Sequence, residues 1–411
     1  MESQTVQKRA NLVLLACILM NISVGGLYAW SVFKAKLMAP LDAGGWAWSS
    51  QQAGFPYTIA IIFTALGILV GGRIQDKIGP RLVLTAGGAM MGTGLVLSGL
   101  AGNSPGGITL YYGIISAFGV GFGYGCATPP ALKWFHPSKK GLVSGLIVGG
   151  FGISAVCIAP LASVLLSIFG IKHTFIILGV IVGVVSVSIA QLVKNPPAGY
   201  VPEAPPNWKP SSVQSTANVD ITWKEMVRTK RFYLMFTMYL ISSSVGLMII
   251  GNIAKIAQTQ IGIANTALIV VFLAIANTGG RVIGGMMSDK IGRLNALFVV
   301  FTLQALNMVG FVYYQTLAGL LLGVLLVGFC FGTPLSVFPA ATADLYGLKN
   351  FGMNYGVLFL AWGLAGVVTP LIADIIYDIS GNFYAAYVIS AVMMASLIYL
   401  NILLRMDLKK K

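Results

Sequence analysis

Charged side chains are scarce in this sequence: 11 Asp and Glu and 26 Lys and Arg among 411 residues, 9% in all, where soluble domains carry about a quarter. That shortage excludes an ordinary soluble globular protein. Histidine occurs twice, at His136 and His173, and cysteine four times, at Cys17, Cys126, Cys157 and Cys330. The cysteines fall inside apolar runs with no paired ligand spacing, so neither a metal centre nor a disulfide framework is expected. No pair of carboxylates, nucleophile with its base, or metal cluster has the spacing an enzyme needs, and no cofactor is implied. The excess of 15 positive charges does not gather into a phosphate-binding face, which sets nucleic acid aside.

Apolar sequence fills the space that charge leaves, with 57% hydrophobic residues and a mean hydropathy of +0.85. Runs of roughly 20 apolar residues, enough to cross a ~30 Å hydrocarbon core, recur twelve times. They lie near 10–33, 52–72, 82–101, 107–129, 141–169, 173–193, 232–254, 266–287, 294–314, 317–341, 352–375 and 383–404. Long runs of this kind predict an all-α membrane protein and exclude a β-barrel, whose strands alternate over about ten residues. The first run follows Lys8 and Arg9 and has no small-residue cleavage site, so it reads as a retained span.

Orientation follows from the basic residues, which concentrate in cytoplasmic loops. Lys34, Lys36, Lys172 and Lys255 fall in outer loops, Arg281 falls within a span, and all other Lys and Arg fall on one side. Both termini are therefore expected in the cytoplasm. The short outer loops, without a usable glycosylation sequon, point to a bacterial inner membrane, and a monomer is expected. A polar, proline-rich stretch at 194–231 divides the chain into six-span halves, 1–193 and 232–411, and its end, WKEMVRTKR, suits a short helix on the inner leaflet.

The halves repeat. GRIQDKIGPR at 72–81 and GMMSDKIGR at 285–293 follow the second and eighth spans, and their aspartates, Asp76 and Asp289, take the same place in each half. Matching inner loops are what a parallel pair of six-helix halves produces. Small residues recur at helical spacing as well: Gly141, Gly145 and Gly149 in the fifth span, Gly280 and Gly284 in the eighth, a pattern that lets helices approach closely.

One residue breaks the apolar rule. IANTGGRVIGG at 275–285 puts Arg281 eight residues from Asp289, roughly 12 Å deeper into the membrane. An arginine near the bilayer centre costs at least about 2.5–3.5 kcal/mol. A structural ion pair would compensate, but no span carries an acid at its centre, and Asp374 and Asp378 lie at the outer end of the eleventh. An anionic substrate supplies the missing charge, because a guanidinium clamps a carboxylate through two charge-assisted bonds. Asn277, one turn away, adds a polar contact. One arginine balances one carboxylate, so a small monocarboxylate fits best; charge balance does not choose among lactate, pyruvate, formate and acetate.

The repeated loop, the twelve spans and the long central loop resemble the major facilitator superfamily over nearly the whole chain. GLYAWSVF in the first span, YGCATPPALKWFHPSKKGLVSGLIVGGFG across the fourth and fifth, and NTGGRVIGG in the eighth are most similar to its branch of monocarboxylate transporters and oxalate-formate antiporters. The resemblance implies alternating access between two halves. It implies that Asp76, Arg81, Asp289 and Arg293 act in gating at the cytoplasmic side. It implies Arg281 as the carboxylate-binding arginine, Tyr28, Tyr124, Phe151, Phe331 and Phe359 as pocket aromatics, and Leu27, Leu146 and Leu335 as wall positions.

Two departures qualify the match. Where the oxalate exchanger has a second cationic residue after NYG, this sequence has Trp362, which would leave one carboxylate of a dianion unpaired. Where animal monocarboxylate transporters have an aspartate one turn before the arginine, it has Asn277. Proton-linked symport is the expectation from the resemblance, with the substrate itself or a surface group such as Asp374 carrying the proton. Anion exchange of the oxalate-formate type and uniport stand as alternatives, and a non-transporting membrane sensor stands behind them. A drug-proton antiporter would call for an intramembrane acid.

Overall fold

The computed structural model describes residues 2–26, 30–204, 220–263 and 267–409, and among them every regular element is helical. Ten of the helices are long and apolar enough to cross a bilayer. The longest of these, 54 residues, carries two of the predicted spans. Together with the N-terminal helix they are consistent with twelve crossings. The chain divides into two compact units, and the division does not run cleanly through the linker.

The first unit comprises Met1–Phe135, Gly150–Glu203 and Lys349–Gly356. Its helices are α1 (Glu2–Val24), α2 (Trp30–Met38), α3 (Ser50–Ile78), α4 (Pro80–Ala101), α5 (Pro105–Ile108), α6 (Ala117–Trp134) and most of α7 (Lys140–Ala190). A π-helical stretch, Thr109–Ser116, joins α5 to α6. The predicted gap between the fifth and sixth spans coincides with a sharp break in α7 at Gly170, whose φ of 68° is one that L side chains avoid. Helix α3 starts on a capping box in which Ser49 and Gln52 satisfy each other's backbone N–H. It then packs on α6 through glycine: a Cβ on Gly67 would meet the Phe118 carbonyl, and one on Gly121 the Thr64 carbonyl.

The second unit comprises His136–Gly149, Ala204–Leu348 and Val357–Lys411. It holds the start of α7 and helices α8 (Trp223–Met226), α9 (Lys230–Ile261), α10 (Ala267–Ile291), α11 (Arg293–Phe311), α12 (Leu317–Tyr346), most of α13 (Phe351–Ser380) and α14 (Tyr384–Lys409). Helix α8 is the short helix expected at the end of the linker; the Glu225 carboxylate accepts from both the Thr222 amide and hydroxyl at 2.8 Å. Helices α10 and α12 make the same kind of contact as α3 and α6. A Cβ on Gly280 would strike the Phe329 carbonyl, one on Gly284 the Thr333 side chain, and one on Gly332 the Asn277 carbonyl. Backbones this close let Thr333 Oγ1 donate across to the Gly280 carbonyl at 3.1 Å.

Each unit thus includes a short piece of chain from the other half: residues 136–149 lie in the second unit, residues 349–356 in the first. Of the cysteines, Cys17, Cys126 and Cys330 are buried, whereas Cys157 is exposed on α7, a surface position that its apolar surroundings in sequence did not reveal.

Candidate functional site

Arg281 lies in the apolar middle of α10 and is 1% exposed, among the largest fully buried side chains of the molecule. Its Nε donates to Asn277 Oδ1 at 3.1 Å, one turn back on the same helix, and its Nη1 donates to the Val148 carbonyl at 2.7 Å. Both bonds lie within the second unit. The first follows from the i, i+4 spacing read in the sequence; the second does not, since a backbone carbonyl on a helix distant in the chain leaves no mark in composition. Gly145 makes it possible, because a Cβ there would collide with the Arg281 carbonyl, so the start of α7 can settle directly on α10.

A guanidinium has five N–H donors, and these bonds use one at Nε and one at Nη1. The rest, both on Nη2 among them, make no hydrogen bond among the described residues. The four ion pairs of the described residues join Lys140 to Asp344, Arg231 to Asp407, and Arg293 to Asp289 and Asp344; none involves Arg281. A permanent charge is therefore oriented by two neutral oxygens and left uncompensated, an arrangement able to receive an anion.

The other expected pocket residues distribute over both units. In the first, the Tyr124 and Phe151 rings meet edge to face with centroids 4.9 Å apart, and both side chains are buried. Leu27 and Tyr28 lie outside the described residues, as does the Asp374 side chain. In the second, Leu335 is buried and Leu146 half-buried, and the Phe331 ring fills the space a side chain at Gly246 would need. The Phe359 and Trp362 rings of α13 lie tilted to one another with centroids 5.1 Å apart, and Phe359 meets Tyr239 of α9 edge to face at 6.0 Å. Tyr239 in turn stacks on Phe338 of α12 at 4.4 Å. Tyr239 and Phe338 were not singled out in the sequence; one aromatic among many in an apolar span gives no signal of its own.

The repeated loops meet helix starts. In the first unit, Asp76 accepts from the Gly352 and Met353 amides at 3.1 and 2.9 Å, in the opening turn of α13. In the second, Asp289 accepts from the Gly141 and Leu142 amides at 2.8 and 2.7 Å, in the opening turn of α7. Each aspartate thus satisfies two of the N–H groups that a helix N-terminus leaves open, and meets the positive end of its dipole. The arginines part company. Arg293 is 7% exposed and bonds Asp289, Asp344 Oδ2 (2.9 Å) and Ser288 Oγ (2.7 Å), while Lys140 completes the cluster on Asp344 Oδ1 at 2.9 Å. Arg81 is exposed and bonds the Gln191 amide oxygen at 2.7 Å. Asp344 and Lys140 were missed at the sequence level. The trace they leave is an acid at the end of an otherwise apolar tenth span and a base at the start of the fifth. Next to Lys140, the His136 imidazole is held below its ordinary pKa by burial and by the charges of Lys139 and Lys140.

Comparison with known proteins agrees with this architecture. The family model described as Major Facilitator Superfamily matches residues 10–336. The oxalate:formate antiporter of Oxalobacter formigenes is 29% identical over 362 residues, covering 86% of this chain and 82% of its own. Human Monocarboxylate transporter 11 is 24% identical over 370 residues, covering 86% and 75%. Among solved structures, a crystal structure of the Escherichia coli fucose:proton symporter FucP superposes with a TM-score of 0.72, 13% identity and coverage of 96% and 98%. At that identity the likeness shows the fold alone.

Proposed function

We propose that this chain, which belongs to the Major Facilitator Superfamily and is therefore a multi-pass membrane transporter rather than an enzyme, carries small monocarboxylates such as L-lactate or pyruvate. The observation that carries this reading is Arg281: buried, in the middle of a spanning helix, fixed by Asn277 and the Val148 carbonyl, and without a carboxylate partner among the described residues. The desolvation of such a charge is offset when a carboxylate arrives, and an anion bound there is held by charge-assisted bonds in a medium that strengthens them. Buried apolar side chains of the second unit, Phe331 and Leu335 among them, set the size limit.

Transport follows as alternating access. The substrate binds near the bilayer centre, and the inner side opens and closes as the carboxylates of Asp76 and Asp289 release and recapture the starts of α13 and α7. Arg293 and Arg81 take part in that gate. Both termini face the cytoplasm, and the monomer is the working unit. Movement is coupled to a proton in an electroneutral symport, and since Arg281 binds the substrate as an anion and no acid stands beside it among the described residues, the proton is carried by a group away from that arginine. Anion exchange is the second reading, favoured by the similarity to the oxalate:formate antiporter of Oxalobacter formigenes. Against a dicarboxylate stands the uncharged Trp362, which gives a second carboxylate no cation.

Uptake of labelled L-lactate, pyruvate, formate and oxalate into proteoliposomes tests this reading. Lactate or pyruvate uptake accelerated by an inward proton gradient is expected. Indifference to the gradient with acceleration by internal anion replaces symport by exchange, and strong oxalate counterflow overturns the assignment to monocarboxylates.

A further inference from the structure

Helix starts favour acids, because their open N–H groups form the positive end of the dipole. Helix α8 follows that rule, with Glu225 in its first turn. Helix α9 breaks it: its first two residues are Lys230 and Arg231, and its first turn holds no acid. Arg231 is compensated, since its Nε donates to Asp407 Oδ2 at 2.7 Å and its Nη2 to the Asp407 carbonyl at 3.2 Å. Lys230 is exposed and takes part in none of the ion pairs among the described residues.

Two further cations share this corner. Lys224 and Arg228 are exposed, enter no ion pair among the described residues, and stand four residues apart. The chain between them is helical, with the Met226 amide donating to the Thr222 carbonyl at 2.9 Å and the Val227 amide to the Trp223 carbonyl at 3.0 Å, so both lie on one face. Glu225, the acid between them, is turned back onto the Thr222 amide and hydroxyl. The corner is fixed from behind. Met226 and Phe232 are buried, the Ile221 amide donates to the Tyr346 carbonyl at 3.1 Å, and Thr229 Oγ1 accepts from the Phe232 amide at 3.3 Å. Tyr233, three residues after Lys230 and so on the same side of α9, is 60% exposed in the first turn of a helix long and apolar enough to cross a bilayer.

We propose that the α8–α9 corner binds the headgroup of an anionic phospholipid, with Lys224, Arg228 and Lys230 taking its charge and Tyr233 packing against the glycerol below. Cations at the end of a spanning helix meet lipid phosphates, and an exposed aromatic beside them sits at the level of the polar–apolar boundary. The bilayer thus supplies the acid that the start of α9 lacks. A zwitterionic headgroup brings a cation along with its phosphate and gains less.

Native mass spectrometry of the full chain in detergent, titrated with phosphatidylglycerol and with phosphatidylcholine, tests the site. The wild type is expected to bind its first phosphatidylglycerol about tenfold or more tightly than phosphatidylcholine, and a combined Lys224→Gln, Arg228→Gln, Lys230→Gln variant to lose most of that preference. A second combined variant, Lys77→Gln, Lys139→Gln, Lys290→Gln, removes three exposed cations elsewhere and is expected to keep it. If the corner variant does not fold, Lys230→Gln alone gives the same reading through a loss of about fivefold. A wild-type protein without the preference overturns the proposal, as does a corner variant that retains it. Equal losses in the two combined variants overturn it in favour of diffuse charge. Displacement of the lipid by an equal concentration of glycerol 1-phosphate overturns it in favour of a site for a soluble phosphate ester.

Discussion

The loop at 72–81 and the loop at 285–293 read almost alike, yet one ends in an exposed arginine on a glutamine and the other in a buried network of two cations and two carboxylates. What they share is the aspartate, which in both units holds the first turn of a helix from the other half of the chain. The comparison extends upward into the membrane. Gly67 and Gly280, Gly71 and Gly284, and Gly72 and Gly285 occupy equivalent places in the repeat, and each of these six packs closely on a neighbour. At the position between them, Ile68 stands in the first half where Arg281 stands in the second, both 1% exposed. The repeat keeps the packing framework and the helix-capping acid. It varies the residues that carry charge, and the second half is the one with a buried arginine within a span.

The largest expected break in this symmetry comes from the arginines. Arg293→Leu leaves Asp289 and Asp344 buried with fewer counter-charges, which costs about 3–5 kcal/mol, whereas the exposed Arg81→Leu costs about 0–1 kcal/mol. Thermal unfolding of the two variants in detergent reads the difference directly, and equal losses contradict the asymmetry. A smaller effect is expected from the acids. Asp76→Asn and Asp289→Asn each weaken two charge-assisted bonds to a helix start, by about 1–3 kcal/mol, and the loss of Tm is greater for Asp289→Asn, which also gives up the ion pair with Arg293. If only one of them matters, the shared role of the repeated aspartate is refuted.

The smallest effect concerns Glu225, which has no equivalent in the first loop. Its carboxyl is held below the ordinary 4.5 by the Thr222 backbone amide and then by the Thr222 hydroxyl. A depressed pKa stabilises the folded turn above the unfolded value, and that contribution disappears as pH falls through the folded one. Amide exchange in α8 is therefore expected to quicken as pH drops below the ordinary glutamate range, after correction for intrinsic rates, and Glu225→Gln removes that dependence.

Much of the scaffold was legible in the sequence because it depends on local pattern. Apolar runs of bilayer length gave the spans. The paired Asp-Lys-Ile-Gly motif located two equivalent loops, and the glycines at helical spacing sit at close helix contacts, Gly141, Gly145 and Gly149 where α7 meets α10, and Gly280 and Gly284 where α10 meets α12. What stayed hidden depends on partners distant in sequence. Lys140 and Asp344 are 204 residues apart, and Arg293 and Asp344 are 51 apart, so their cluster emerges only when α7, α11 and α12 converge. Arg81 and Arg293 close the repeated motif one position out of register and differ in surroundings, because α6 and α12 repeat their glycine contacts at an offset of 211 residues, which puts Lys133 where α12 has Asp344. At the candidate site, Arg281 and Asn277 were visible as a charge and an amide one turn apart. The Val148 carbonyl was not, since it is backbone.

The central claim is that Arg281 is uncompensated because a monocarboxylate completes it. Equilibrium binding of labelled L-lactate to purified protein, wild type against Arg281→Gln, tests it most directly. Losing a buried charge partner costs about 2–5 kcal/mol, so the Kd is expected to rise by about thirtyfold or more, with the variant keeping a Tm close to that of the wild type. An Arg281→Gln protein that binds lactate with the wild-type Kd contradicts the account.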